Sequence, residues 1–316
     1  MTFLASNQIH QGCSELRIPE IKPQTIALSF WSPPYFVGKD YEKDATFESW
    51  HQMLKDVISA HFQALKPGGF MVINIDDILC FKDVQMPKFQ ALNQSKQKCS
   101  ITKEMILAAR EGNPHCSRYD LAKMLGCSEQ TIDRRLNGNN IRGGKHQTQT
   151  RVKLIGGELE AYATAAGLFL YDRKIWVKDA AWANSRWTSN TLKGVSETEY
   201  LYVFWKPGEY AINRGKLSTE EWKSWGYRQL WHVSSVRKND DHEAKFPQEL
   251  AERVIRLYSD EGDTVLDPFM GSGTTALAAL ATDRSFIGIE KEPKYVRLAK
   301  SKIAAFNAQG RLNLSR

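Results

Sequence analysis

"TVLDPFMGSGTTALAALATDRSFIGIE", residues 264 to 290, decides the fold. It divides into an apolar strand "TVL", a turn holding Gly271 and Gly273, a helix "TTALAALA" and a second apolar strand ending at Glu290. Strand, glycine turn, helix and strand make a unit of a parallel α/β sheet. The two glycines let backbone come close to a ligand, and the helix N-terminus offers free amides. No Lys follows the second Gly, which excludes a phosphate P-loop, and the spacing is not the dinucleotide GxGxxG. Glu290 lies 23 residues after Asp267. An acid at that strand end is placed to accept hydrogen bonds from ribose hydroxyls. A nucleoside ligand without a phosphate-binding Lys is implied.

The same pattern surrounds this unit. "PQELAERVIRLYS", from Pro247, is a helix leading into it. Near the other end of the chain, "QIH" and "TIALSF" are short strands, and the second runs into "WSPPYF". A strand cannot continue through Pro33 and Pro34, which lack backbone donors. A strand stop is one reading. The other is a stiff platform of Ser32, proline carbonyls and Tyr35 at the carboxyl edge of the sheet. Residues 46 to 65 place Phe47, Trp50, Leu54, Val57, Ile58, Phe62 and Leu65 at helical period. "KPGG" is expected to stop that helix, and "FMVINI" is a buried strand ending at Asp76 and Asp77. "LFLYDRKIWV" (168–177) and "EYLYVFW" (199–205) are aromatic-rich strands, and 206–245 is expected to be an irregular excursion with little core of its own.

Residues 81 to 153 break the pattern. The chain of 316 residues carries a net charge of +7, yet this segment alone holds 14 Lys plus Arg against 6 Asp plus Glu. Its net +8 leaves the remainder near −1, and such concentration suggests a polyanion partner. A helix is expected over 101–111. In "SRYDLAKMLGCSEQTIDRRLNGN", Ser117 and Ser128 are natural N-caps. Leu121, Ala122 and Leu125 share one face, Gly126 makes the turn, and Ile132 and Leu136 line the next helix. That is helix-turn-helix spacing. "IRGGKHQTQTRVK" then reads as a basic loop suited to a phosphate backbone. Arg134, Arg135, Arg142, Lys145, Arg151 and Lys153 are the candidate DNA contacts.

With 42% hydrophobic and 25% charged residues the composition is that of an ordinary soluble globular chain. Five cysteines without CxxC spacing argue against a zinc site and a disulfide framework, and fit a reducing cytoplasm. No apolar run is long enough to span a bilayer, and the N-terminus lacks the basic region and apolar core of a signal peptide.

"DPFMGSGTT" resembles the S-adenosylmethionine motif of amino-methylating DNA methyltransferases, and "SPPY" resembles their catalytic motif. The catalytic motif comes first here, an order similar to the β class, a circularly permuted arrangement. "HEAKFPQELAERVIRLYSDEGDTVLDPFMGSGTT" continues the resemblance without interruption, and "LKPGGFMVINIDD" resembles the strand and acidic turn that face the target base. The family usually has Gly-Asp before the catalytic strand, whereas "HQGCSEL" puts Cys13 there. Adenine contact then passes to a backbone group or to Ser14.

The resemblance implies an α/β, Rossmann-like S-adenosylmethionine-dependent methyltransferase fold, circularly permuted, with an inserted helical subdomain. It implies a catalytic half in 1–80, a basic helix-turn-helix insertion in 81–153, remaining catalytic-domain strands in 154–205, a target-recognition region in 206–241 and a cofactor half in 242–316. It implies cofactor contacts from Phe246, Asp267, Pro268, Phe269, Gly271, Ser272, Gly273, Thr274, Thr275 and Glu290. Ser32 at the first motif position resembles the cytosine-N4 branch, with adenine-N6 the alternative. The amine's lone pair is delocalised into the ring, so its hydrogens need fixed acceptors, Ser32 Oγ and the Pro33 carbonyl, held still by Pro33 and Pro34. Tyr35 would stack on the flipped base. Asp76 or Asp77 would orient the amine or take a proton. C5 methylation is disfavoured because it needs a thiolate and no Pro-Cys pair occurs. Partners implied are double-stranded DNA and a restriction endonuclease of the same system, with a homodimer open and no membrane. A regulator using the helix-turn-helix on an inactive scaffold is the alternative from another class.

Overall fold

The computed structural model describes residues 2–36, 46–92, 100–114, 116–137, 145–179, 194, 196–236 and 246–314. Its strands, in chain order, are β1 (Gln8–Gln11), β2 (Ile26–Trp31), β3 (Leu65–Ile75), β4 (Ile78–Lys82), β5 (Phe89–Leu92) and β6 (Lys145–Thr148). β7 (Thr150–Lys153), β8 (Phe169–Val177), β9 (Thr198–Trp205), β10 (Leu230–His232), β11 (Thr264–Asp267) and β12 (Ser285–Glu290) follow. Eight of them form one sheet in the order β1-β12-β11-β2-β3-β9-β8-β10. The run from β1 to β3 is parallel, and β9 is antiparallel to both β3 and β8.

All six residues of β2 are buried, as expected of a central strand covered on both faces. In β3 the side chains alternate: Phe70 and Val72 enter one core cluster, Met71, Ile73 and Ile75 the other. Helix α1 is the short Ser14–Arg17, and α2 (Phe47–Ala64) buries Trp50, Leu54, Val57 and Ile58 on one face of the sheet. A capping box opens α2: Thr46 Oγ1 accepts from the Ser49 amide at 3.1 Å and Ser49 Oγ from the Thr46 amide at 3.0 Å. Such a cap contributes about 1 kcal/mol. "KPGG" does not intervene as a separate stop, since the helix ends at Ala64 and β3 starts at Leu65. The buried Lys206 ammonium makes that abrupt exit possible by donating to the carbonyls of Phe62 at 2.6 Å and Leu65 at 2.8 Å.

Two further expectations are corrected. Residues 154–205 hold a helix, Gly156–Ala165, as well as strands. Its start carries no Ser, Thr, Asp or Asn cap of its own; Asp77 Oδ1 accepts from the Ile155 amide at 2.8 Å instead. The excursion after β9 is not without core. Leu217, Trp225, Trp231 and Val233 are buried in the main cluster, and β10 extends the sheet beside β8. A few large rings anchor an otherwise polar sequence.

A second compact unit is formed chiefly by Lys82–Thr150. Helices α3 (Lys103–Glu111), α4 (Arg118–Met124) and α5 (Glu129–Asn137) pack around Ile101, Ile106, Leu121, Ala122 and Ile132. Ser117 caps α4 in a capping box with Asp120, Ser128 Oγ accepts from the Thr131 amide at 3.3 Å, and Gly126 turns the chain at φ +62°. The stretch expected as a basic loop contains β6 and β7 instead, β6 pairing antiparallel with β5 and β7 with β4. KHQT and TRVK hold Val152 as their one apolar residue, so periodicity could not reveal them. Longer helices elsewhere are α6 (Gly156–Ala165), α7 (Gln248–Tyr258), α8 (Thr274–Ala281) and α9 (Pro293–Leu314), with α7 burying Leu250, Ala251, Val254 and Ile255. Among the described residues no helix is long and apolar enough to cross a membrane.

Candidate active site at the carboxyl edge of the sheet

Parallel pairing brings four turns to one edge. Ser29 is in register with Leu266, Trp31 with Ile73, and Gln11 with Glu290. The chain therefore leaves β2, β3, β11 and β12 on the same side, where open α/β sheets bind ligands.

The turn after β11 is built on backbone. Gly271 and Gly273 have φ of +50° and +91°, a region costly for any residue with a Cβ. Glu290 Oε2 accepts from the Gly271 amide and Oε1 from the Glu292 amide, both at 2.8 Å. Burial raises the Glu290 pKa above the ordinary value, and these amides oppose the rise. Each carboxylate oxygen keeps acceptor capacity beyond those bonds, so the pair fits the hydroxyls of a ribose diol as acceptors. Asp267 is buried, with Oδ2 accepting from Thr275 Oγ1 at 2.6 Å and Oδ1 from the Phe269 amide at 2.9 Å. Burial, aided by the nearby Glu290 charge, pushes its pKa up to about 7. Ser272 and Thr275 are buried, and Thr274 opens α8. Phe246 packs 4.8 Å from the Phe30 ring and Phe269 5.3 Å from Trp31, measured between centroids. The close approach at Gly273 is to the fold: a Cβ there would lie 3.0 Å from Ala299 Cβ on α9. The Ser14 hydroxyl is already engaged, donating to the Pro268 carbonyl, while Cys13 is half-buried at the start of α1.

The turn after β2 is built on side chains. Trp50 Nε1 on α2 donates to the Pro34 carbonyl at 2.7 Å. The Tyr35 hydroxyl donates to Glu199 Oε2 at 2.7 Å, and Lys178 Nζ donates to Glu199 Oε1 at 2.6 Å. Burial, then the Glu199 charge, holds the Tyr35 phenol well above its ordinary pKa, so it stays a donor. The two acids after β3 separate. Asp77 caps α6 through Ile155, as above, whereas Asp76 Oδ2 accepts from Ser196 Oγ and Oδ1 from the Asp77 amide, both at 2.8 Å. Burial raises the Asp76 pKa. Sequence reasoning missed Trp50 as a holder of this turn, and missed Glu199, Lys178 and Ser196 altogether. The one available signal was Glu199, an acid opening an otherwise apolar strand.

Of the basic candidates, Arg134 is half-buried and Arg135 exposed on α5. Arg151 lies over the Phe81 ring at 5.5 Å. The Lys153 ammonium pairs with Glu158 and sits 5.7 Å from the Phe47 ring centroid. Lys145 starts β6, and Arg142 falls outside the described residues.

Known proteins share this architecture. The N6/N4 methyltransferase family model, described as DNA methylase, matches residues 26–301. Type II methyltransferase M.BglI of Bacillus subtilis is 58% identical over 305 residues, 96% of this chain and 88% of that protein. A Thermus thermophilus protein, assigned as a DNA modification methylase and solved with S-adenosyl-L-methionine, superposes with a TM-score of 0.61 at 24% identity over 95% of this chain and 93% of its own. The cytosine-N4-specific PvuII DNA methyltransferase gives 0.57 at 17% identity over 96% and 92%. With its sheet, its glycine turn and its acid-ended neighbouring strand, the chain belongs to the S-adenosylmethionine-dependent N6/N4 DNA methylase family.

Proposed function

We propose that the protein transfers the methyl group of S-adenosylmethionine to the N4 amine of cytosine in duplex DNA. The observation that carries this reading is a hydroxyl, Ser32, at the first position of the Pro-Pro turn beside a fixed Pro33 carbonyl. S-adenosylmethionine supplies an electrophilic methyl carbon on sulfur. Glu290 holds its nucleoside portion beside Gly271 and Gly273, with Asp267, Pro268, Phe269, Ser272, Thr274, Thr275 and Phe246 lining the surroundings. Ser32 Oγ and the Pro33 carbonyl accept the two amine hydrogens and turn the nitrogen lone pair out of conjugation. Trp50 supports that division of labour, because it occupies the neighbouring Pro34 carbonyl. The Tyr35 ring packs against the extruded base, a contact worth roughly 1–3 kcal/mol. Asp76 is the better candidate of the acid pair, since Asp77 is spent on capping α6.

The motif order reads as a circular permutation with the basic unit inserted into it. In that unit α4 and α5 act as a helix-turn-helix, with Arg134 and Arg135 on the helix that faces DNA. Residues 206–241 are the target-recognition region. The likeness to a type II methyltransferase supports a role in a restriction-modification system with a cognate endonuclease, working in the cytoplasm where the DNA is. Mass spectrometry of nucleosides from plasmid DNA of cells expressing the protein tests the reading. N4-methylcytosine is expected, and N6-methyladenine alone would overturn the choice of base.

A further inference from the structure

The Tyr35 ring needs only a neutral acceptor for its hydroxyl. It has instead a full carboxylate, Glu199, at 2.7 Å, and that carboxylate has its own cation, Lys178, at 2.6 Å. Burying a charge is costly unless it is paired, so this arrangement is more than packing requires. The Ser32 side chain lies near enough to the phenol to favour its ionised form, and the Tyr35 hydroxyl also reaches the Asn74 carbonyl at 3.5 Å. Ser32, Tyr35 and Glu199 thus follow one another from the first position of the Pro-Pro turn to a carboxylate whose side chain keeps 12% of its surface exposed. Asp76, held by Ser196, is the other acid near the phenol, and Lys178 is the cation facing Glu199.

We propose that Glu199 is a positioning residue that orients Tyr35 and Ser32 by hydrogen bonding and receives, through them, the proton released by amine methylation. The inference rests on the amine-methylating reading above. The amine nitrogen uses its lone pair to form the new N–C bond, and the electron pair of the broken S–C bond stays on sulfur. The nitrogen is then cationic. Its surplus proton passes to Ser32 Oγ as the Ser32 proton passes to Tyr35 Oη and the Tyr35 proton to Glu199 Oε2. Both hydroxyls are regenerated, the methylated amine is neutral, and Glu199 carries the proton until it leaves to solvent. Before transfer, the Glu199 charge acts along the same line to favour positive charge developing on nitrogen. Lys178 keeps Glu199 in place.

The test is single-turnover methyl transfer by the full-length protein, with labelled S-adenosylmethionine and unmethylated genomic DNA. Glu199→Gln, Tyr35→Phe and the double variant are compared, each with its affinities for S-adenosylmethionine and for DNA. Gln keeps the size of Glu but cannot accept the proton. Phe keeps the ring and removes the link. Each single variant is expected to slow transfer by roughly 10²-fold, the scale of general acid–base effects. The double is expected to be no slower than the slower single, and both affinities should stay within about two-fold, because residues of one path are non-additive. A Glu199→Gln rate within two-fold of wild type, or losses that multiply, would overturn the path. Should Glu199→Gln not fold, Tyr35→Phe decides alone, since it leaves the Glu199–Lys178 pair intact, and a wild-type rate would end the proposal. The base choice fails separately: N6-methyladenine made by the wild-type protein would change the substrate and leave the path, which serves any exocyclic amine.

Discussion

Two turns leave adjacent strands of one sheet, and they are made in opposite ways. The turn after β2 is stiffened by two prolines and held by side chains reaching in from elsewhere, Trp50 from α2 and Glu199 from β9. The turn after β11 is freed by glycines at positive φ and held by backbone amides on carboxylates. In the reaction proposed above, the first has to present acceptors, a hydroxyl and a carbonyl, that must not shift as an amine changes geometry. In the same reading the second offers Glu290 to a nucleoside, its glycines taking the positive φ that shapes the turn. One sheet edge thus carries a proline-stiffened turn beside a glycine-built one.

The largest expected effect breaks the second turn's electrostatics. Asp267 has its pKa raised from 3.8 to about 7. Its folded state therefore holds a proton that the unfolded state has lost between those values, and stability falls as pH rises through that window. Asn is isosteric with the protonated form. Asp267→Asn should be more stable than wild type at pH 8, by a margin on the order of 4 kcal/mol larger than at pH 4. Denaturant melts at the two pH values check this, and equal differences at both would mean that Asp267 ionises freely in the fold. His61 contributes the opposite slope: its pKa is lowered from 6.5 to about 4 by burial, so stability is lost as pH falls through that range. The Asp267→Asn difference cancels that background.

Next comes Glu290→Ala, which removes the acceptor of two turn amides and of the proposed ribose. S-adenosylmethionine affinity should fall by about 1–3 kcal/mol for the charged acceptor, measured by calorimetry on folded protein, and unchanged affinity would remove Glu290 from the site. Tyr35→Ala should do the reverse, lowering turnover by more than the roughly 10²-fold expected of Tyr35→Phe, because stacking goes with the hydroxyl, while cofactor affinity holds. An equal loss in both would erase the distinction between the turns.

Backbone chemistry sharpens the comparison at smaller scale. Gly273→Ala should cost about 1–2 kcal/mol from positive φ alone, with Ala299 forced to give way at 3.0 Å. Pro34→Ala should cost less than about 1 kcal/mol, through greater freedom of the unfolded chain. A Tm loss ranked the other way would contradict the assigned roles of glycine and proline. Of comparable size is Trp50→Phe, which keeps an aromatic ring but frees the Pro34 carbonyl. About 1 kcal/mol of stability should go, with turnover lowered and cofactor affinity kept.

Local sequence was enough for the glycine turn, its strand and its acid, because glycine, apolar runs and a spaced carboxylate each have a local physical cause. The same holds for the Pro-Pro turn and for the Ser caps of α4 and α5. It was not enough for the excursion after β9, whose four buried anchors are scattered among polar residues, nor for α6, whose cap comes from Asp77 at a distance. The pairing of β5 with β6 was equally hidden, since KHQT holds no apolar residue to set a pattern.

The sequence by itself determined the parallel α/β scaffold, the chemistry of its two edge turns and the concentration of positive charge in residues 81–153. Only the tertiary structure decided which groups hold those turns. Trp50, Lys178, Ser196 and Glu199 look like ordinary helix, strand-end or loop residues along the chain. They become partners of Pro34, Tyr35, Asp76 and one another because pairing of β2 with β3, β3 with β9 and β9 with β8 delivers segments distant in sequence to one edge. A hydrogen bond is a property of distance and direction between two groups, and local sequence specifies neither for partners far apart in the chain, such as Tyr35 and Glu199.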